Sequence, residues 1–372
     1  MARPLAVFTT EMGASFINRH VEDLLPGRSV AISGASGLKP GHVWNDRTPV
    51  LYLDQVRTSV RARLLRRLGA EDRRIVENAI VRFLRRHGVR VVLGEFLDYF
   101  VDFVPLLDRL QIAYVVQGHG IDVSAAMRDP AMAGRYKRYA SARAILTRSE
   151  LHRSRLIDLG LPSALVHVNI GGIDVPPQLI VRPPAASKRL LAVSYMVPKK
   201  GPFYLLEAFR KALAHDPELT LDVVGGGPLL PAIRQAVDAC GLRASVHLHG
   251  VVADEVRDRL LAESGVFVQH SITDPDTGNE EGLPAAIQEA MANGLAIVST
   301  RHAGIPEVVV HGRNGLLVDE GDAAGMACAI LDIRSVAQAF GAESYRMARA
   351  RFCWSAERDR LLQWLDPPSQ SH

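Results

Sequence analysis

Residues 189–227 read RLLAVSYMVPKKGPFYLLEAFRKALAHDPELTLDVVGGG. The run opens on an apolar strand, 189–197, and turns at a Pro-Lys-Lys-Gly loop. YLLEAFRKALAH (204–215) then repeats apolar residues at helical spacing, and LTLDVVGGG (219–227) is a second strand ending in glycines. A strand, a helix and a strand in this order make a βαβ unit, so the sheet is parallel. The pattern continues downstream. PLLPAIRQAVDAC (228–240) is a helix opened by Pro228, VHLHG a strand, 254–263 a helix, and VFVQHS a strand. A helix over 284–293, the strand LAIVST, the strand GLLVD (315–319) and a helix after Gly321 follow.

The same alternation runs upstream. PLAVFT (4–9), SVAIS (29–33), VRVVLG (89–94), IAYVVQG (112–118) and RAILTRS (143–149) read as strands. Helices are expected over 16–25, 54–88 and 101–110. Between the two series, VPPQLIVRPPAASKR (175–189) holds four prolines and reads as an extended linker. The expected architecture is α/β with two Rossmann-like, doubly wound domains: 1–180, 181–350, and a C-terminal helix and tail over 351–372 that packs back on the first domain. PPSQSH is read as a frayed tail. Open α/β sheets bind ligands at the carboxyl ends of their strands. The loops TTEMGAS, QGHGID, MVPKKG, GGGP, HSITDPDTGNEEGLP and RHAGIPE are therefore the places to look for chemistry.

Composition bounds the class. The chain has 372 residues, 48% apolar and 23% charged, the profile of a folded chain with two or three domains. No apolar run reaches the roughly 18 residues of a membrane span, and MARPLAVFTT does not read as a signal peptide. Cys240, Cys328 and Cys353 are odd in number and lack a CxxC spacing. They read as buried small apolar residues, and a cytoplasmic location is expected. The net charge of +4 conceals an asymmetry: residues 1–186 carry 26 basic and 17 acidic residues, the remainder 18 and 23. A uniformly basic nucleic-acid binder is excluded.

Much of the basic excess lies in residues 57–90, with eleven arginines against three acids. Val56, Val60, Leu64 and Leu68 recur every four residues, so one long helix with an apolar side and a basic side is expected. It reads either as a solvated surface helix or as a face that docks on an anionic membrane. No aromatic stacking platform accompanies the charge, so nucleic acid is not expected as a partner.

The sharpest motif is Glu281-Gly-Leu-Pro-Ala-Ala-Ile-Gln-Glu289. Pro284 is placed to open a helix. The free N–H groups of residues 282–286 and the helix dipole would then favour an anion such as phosphate. Glu281 and Glu289, two turns apart, would lie on roughly one side of the helix. The spacing alone also fits a surface helix with two solvated glutamates.

With AMANG, STRHAGIPE and GRNGLLV behind it, residues 189–333 resemble the C-terminal domain of retaining glycosyltransferases of family 4. The branch they are most similar to builds bacterial exopolysaccharides, colanic-acid-type enzymes among them. Those enzymes carry a Glu-x7-Glu motif, a GxGP turn, here Gly225-Gly226-Gly227-Pro228, and a Lys-Lys-Gly segment, here Lys199-Lys200-Gly201. The resemblance implies the GT-B fold, two Rossmann-like domains facing each other across a cleft. It implies transfer of a sugar from a UDP- or GDP-sugar to a saccharide or lipid-linked hydroxyl acceptor, with no cofactor or essential metal. It also implies roles. Glu289 binds the ribose, Glu281 the transferred sugar, and Lys200 the departing diphosphate with Lys199 beside it. Gly225, Gly227, Gly282, Leu283 and Pro284 border the donor, and Val251 and Val252, after His249-Gly250, border the base.

In the N-terminal half, His119 in QGHGID reads as a turn histidine capped by Asp122. The segment is also similar to the family's His-Gly-x-Asp element, which puts His119 beside the sugar. Gly13 and Ala14 match the family's first glycine-rich loop with one glycine fewer. Glu95 follows the strand 89–94 and faces the acceptor or is merely a carboxylate of the cleft; Arg153 and Asp174 are further candidates. Asp274-Pro275-Asp276 has the DxD spacing of a Mg²⁺ site, but it reads better as a solvated loop. One departure stands out: the family's Gly-Arg before the lysines is Ser194-Tyr195 here. Arginine is a bidentate phosphate ligand and tyrosine is not. Lys199, Arg301 or an N-terminal arginine would have to compensate. The alternatives are a weak or inactive nucleotide-sugar-binding partner, or another GT-B activity such as a sugar-nucleotide epimerase.

Overall fold

The computed structural model describes residues 4–38 and 47–365. Two compact units share the chain: one holds residues up to Asn169 together with those from Glu357 onward, the other is Ile170–Ala356. The expected tail, 367–372, lies outside the described residues.

The first unit is built on seven strands: β1 (Leu5–Thr9), β2 (Ser29–Ser33), β3 (Val50–Tyr52), β4 (Val91–Glu95), β5 (Ala113–Gln117), β6 (Ala144–Thr147) and β7 (Val166–Val168). Their order is β3-β2-β1-β4-β5-β6-β7 and every neighbouring pair is parallel. All residues of β1, β2 and β4 are buried, the result of helices covering both faces. That burial explains why these strands read as unbroken apolar runs.

The second unit has six strands: β8 (Arg189–Val193), β9 (Thr220–Val224), β10 (Val246–Gly250), β11 (Val266–Val268), β12 (Ala296–Thr300) and β13 (Gly315–Val318). The order is β10-β9-β8-β11-β12-β13, again all parallel. Leu205, Phe209, Met326 and Ile330 pack on one face, and Ile287, Met291, Met347 and Phe352 on the other. Strand order reverses between β1 and β4 in one sheet and between β8 and β11 in the other. The crevices of a doubly wound sheet lie at those reversals, at the carboxyl ends of the strands.

Several expectations are corrected. The region 54–88 is three helices, Leu53–Thr58, Val60–Arg67 and Asp72–Arg86. Ser59 breaks the first junction with an extended ψ of 153° and caps the second helix by accepting from the N–H of Ala62. The apolar side of Asp72–Arg86, including Ile75, Val76 and Ile80, enters the core. The proline-rich stretch 175–189 is part of the second unit rather than a free linker. Its anchor is Arg182, whose guanidinium donates to the carbonyls of Leu261, Asn293 and Gly294. The helix expected from Pro228 is Leu230–Ala239, with Pro231 in its first turn. The cysteines are not buried: Cys240 and Cys328 are exposed and Cys353 is half-buried, all three as free thiols. Among the described residues no single helix is long and apolar enough to cross a membrane.

Candidate functional site

In the second unit the chain leaves β8 through Ser194-Tyr195 and turns at Pro198-Lys199-Lys200. Gly225 and Gly227 lie against this segment with φ of 129° and 131°, where a side chain would strain. A Cβ on Gly225 would stand 2.0 Å from the carbonyl oxygen of Ser194, and one on Gly227 2.6 Å from the amide of Met196. The glycine turn is thus required by backbone packing whatever else it borders.

The two lysines converge on one carboxylate. Lys200 Nζ is 3.1 Å and Lys199 Nζ 3.4 Å from Oε1 of Glu281, which is itself buried. Lys199 also donates to Asn279 Oδ1 and the carbonyl of Glu280. Burial alone would raise the Glu281 pKa, but the charges of Lys200 and Lys199 outweigh it and hold the carboxyl below its ordinary value.

A histidine that sequence reasoning gave no role positions this loop. The Glu281 N–H donates to Nε2 of buried His302 at 3.2 Å, and Nδ1 of that ring lies 2.7 Å from Glu320 Oε1. An accepting Nε2 puts the ring proton on Nδ1, which donates to Glu320. The other oxygen of Glu320 accepts from the Thr273 N–H, and the Gly304 N–H reaches the carbonyl of Gly282. Loops after β11, β12 and β13 are thereby tied together. In the sequence, His302 is marked only by lying within the segment STRHAGIPE.

The helix is Ala285–Ala292, with Pro284 as the residue before it, φ −64° and ψ 118°. Ile287 and Gln288 donate back to the carbonyl of Pro284. Ala285 and Ala286 therefore carry the leading N–H groups. Gly282 and Leu283 form a non-helical approach, so Glu281 is not on the helix and does not share a helix side with Glu289. Half-buried Glu289 is on it, close enough to support the charge of Arg257 against burial.

Val251, 62% exposed, and half-buried Val252 follow β10, where His249 Nε2 is 2.7 Å from Asp222 Oδ1. Tyr195 is 62% exposed. Arg301 is paired with Asp319 at 3.3 Å. Asp274 is buried rather than solvated. Its two oxygens accept from the Asp276 N–H and the Thr277 hydroxyl, so the DxD pair builds its own turn. Asp174 is exposed.

In the first unit a buried polar network gathers at the ends of β4 and β5. Glu95, the last residue of β4, is fully buried. Its Oε1 is 2.6 Å from His20 Nδ1 and its Oε2 2.6 Å from His119 Nε2. It therefore offers no open carboxylate to an acceptor. The turn holding His119 is made by Asp122, which accepts from the N–H groups of His119 and Gly120 and, through its other oxygen, of Leu97. Phe16 and Phe96 flank the His119 ring with centroids 4.7 and 4.6 Å away. Phe96 takes φ 65°, a strained value for a bulky residue, which the packed surroundings enforce.

The network extends to the C-terminal helix. Glu357 Oε1 lies 3.6 Å from His20 Nε2 and 3.0 Å from Arg148 Nη1, and Asn169 bridges Glu357 to Gln117. Burial works against a charge on His20, but Glu95 and Glu357 outweigh it and lift its pKa to about 9. Burial likewise works against the Glu95 charge, and His20 and His119 outweigh it, bringing the carboxyl to about 2. Gly13 and Ala14 lead into the helix Ser15–Glu22, which carries His20. Arg153 is bound to the carbonyl of Val166 and to Glu150.

The profile of the family described as "Glycosyl transferases group 1" matches residues 187–335. The amylovoran biosynthesis glycosyltransferase AmsK of Erwinia amylovora is 31% identical over 274 residues, 71% of this chain and 66% of that protein. WcaL of Salmonella typhimurium, named for colanic acid biosynthesis, is 28% identical over 279 residues, 73% of this chain and 68% of that protein. The chain thus spans about two thirds of the length of these relatives. In fold, it is similar to HepE of Anabaena in complex with UDP, with a TM-score of 0.78, 18% identity and 99% and 100% of the two chains covered. Sucrose-phosphate synthase from Thermosynechococcus elongatus gives a TM-score of 0.71 at 17% identity, covering 97% and 98%. Two parallel sheets of seven and six strands are the GT-B architecture of these structures. Residues 187–335 thus form a domain of the group 1 glycosyl transferases.

Proposed function

We propose that the chain transfers a glycosyl unit from a nucleotide diphosphate sugar to a hydroxyl of a saccharide or lipid-linked exopolysaccharide precursor, with retention of anomeric configuration. The observation that carries this reading is the convergence of Lys199 and Lys200 on buried Glu281, beside the start of the helix Ala285–Ala292. Glu281 is the counter-charge of both lysines. A diphosphate would take over that part, with Lys200 and the leading N–H groups against its oxygens. The freed Glu281 carboxylate would then accept from sugar hydroxyls. The names of AmsK and WcaL, and the UDP-glucose bound to HepE, support the substrate class.

In the reaction the bond from the anomeric carbon to the diphosphate oxygen breaks as the acceptor oxygen bonds to that carbon on the same face. The acceptor proton passes to the departing diphosphate. Negative charge grows on the leaving group, where a placed ammonium and N–H groups stabilise the transition state more than the ground state. The lysines supply the positive charge, so the reading invokes no metal ion.

The test is a melting-temperature panel with UDP, GDP and their sugars. A ligand at 100 times its Kd stabilises the folded state by about 2.7 kcal/mol. One nucleotide series should raise the melting temperature, and Glu289→Ala should remove most of that rise. No rise with any of them would sink the reading.

A second reading, a nucleotide-sugar-binding protein with little turnover, rests on Tyr195. It stands exposed where the family places an arginine, and Arg301 is already paired with Asp319. Restoring the bidentate donor in Tyr195→Arg is expected to raise turnover tenfold or more under the second reading. Under the first it changes turnover little, because other groups already meet the charge.

A further inference from the structure

We propose that the helix Val60–Arg67 lays its outer face on an anionic lipid bilayer. Ala62 is fully buried and fixes which side of this helix faces the protein. On an α-helix each residue turns by about 100°, so Val60, Leu64 and Leu68 fall on the opposite side. There they are 73%, 57% and 76% exposed, three large aliphatic side chains in one stripe facing solvent. Arg61 flanks the stripe on one edge and Arg63 and Arg67 on the other, all exposed and in no ion pair among the described residues. Arg57, Arg73 and Arg74 lie exposed on the neighbouring helices.

The pattern is the reverse of a core helix, whose apolar side points inward. Two neighbours show the contrast: Leu53 is buried, and Asp72–Arg86 spends its apolar residues on the core. An aliphatic centre with an arginine rim matches the interface of an anionic membrane. Side chains enter the boundary between headgroups and acyl chains while guanidinium groups meet phosphates. A protein partner would have to be acidic at its rim and apolar at its centre. A bilayer offers both over any area, and charge complementarity selects one containing anionic lipid. The inference is independent of the donor reading, since it concerns residues of the first unit remote in sequence from Lys200 and Glu281.

The experiment is co-sedimentation of the full chain with vesicles of phosphatidylcholine alone and of phosphatidylcholine with 30% phosphatidylglycerol. Binding is expected only to the anionic vesicles, falling tenfold or more between 50 and 500 mM salt as charge is screened. The triple variant Val60→Ser, Leu64→Ser, Leu68→Ser alters only exposed positions and should lose at least tenfold in vesicle binding. Its melting temperature and its donor-induced rise should match wild type. Equal binding by the variant and wild type would overturn the proposal, as would no binding to anionic vesicles. A wild-type dimer that the triple variant dissolves, with no vesicle binding, would assign the face to a second copy and overturn it equally.

Discussion

Replacing Lys200 with alanine is expected to slow glycosyl transfer by about 10²–10³-fold, the usual effect of removing one placed group that stabilises charge in the transition state. The geometry divides that loss. Lys199 is tethered to Asn279 and the carbonyl of Glu280, so it cannot swing freely to take Lys200's place. Lys200, by contrast, has the shorter contact with Glu281, 3.1 Å against 3.4 Å. Without Lys200, Glu281 is a buried carboxylate with half its cationic partners, and its pKa should rise towards that of an ordinary carboxyl. Lys200→Ala should therefore affect kcat more than the donor-induced rise in melting temperature, because the lysine matters most when the leaving group is fully charged. Lys200→Arg should recover part of the rate. Steady-state kinetics on a purified donor and acceptor pair would check the split. An alanine variant with wild-type kcat would remove Lys200 from the chemistry.

The scaffold of this site was legible because buried parallel strands and amphipathic helices leave strong local patterns. Residues 189–227 carry one complete βαβ unit, and nothing outside them is needed to read it. β3 and β7 are three residues long and carry no pattern that sets them apart from the loops around them. The helix Ala337–Arg351 buries mostly small residues, Ala337, Gly341, Ser344 and Ala348 among them, which leave little apolar period in the sequence. The stretch 54–88 departs from its expected single helix for a different reason. A four-residue apolar period marks a stripe, but the period does not say whether the stripe meets the core or the solvent. Arg182 shows a third limit: prolines mark an extended chain, yet carbonyls 79 to 112 residues away decide where it is anchored. The Glu281 loop follows the same logic. The motif exposed Glu281 and both lysines, while His302 and Glu320, which orient the loop, sit behind later strands with no spacing rule to link them.

Glu95→Gln is expected to destabilise the first unit by as much as about 3 kcal/mol near pH 6, and the deficit should shrink as pH rises through about 9. The partners of Glu95 come from positions 20 and 119, with Glu357 completing the shell of His20. The amide keeps the shape of the side chain but removes one of the two carboxylate charges, Glu95 and Glu357, that support protonated His20. The lift of His20 from 6.5 to about 9, to which Glu95 and Glu357 both contribute, corresponds to about 3 kcal/mol in all. The sign follows from linkage. A raised histidine pKa adds stability that is fully present below pH 6.5 and is lost as pH climbs through about 9. The depressed Glu95 pKa adds stability present above 4.5 and lost as pH falls through about 2. These are two views of one ion pair, so the contribution is counted once and is greatest between pH 4.5 and 6.5. Denaturant unfolding of wild type and variant at pH 6 and pH 9.5 should show a gap at the first pH and little at the second. A function of Glu95 in orienting His119 adds a separate signature. The variant should lose kcat while its donor-induced melting shift stays intact, since Lys200, Glu281 and Glu289 belong to the second unit. An equal deficit at both pH values would mean that Glu95 acts through packing rather than charge. Unchanged kcat in a folded variant would leave His119 without need of its carboxylate.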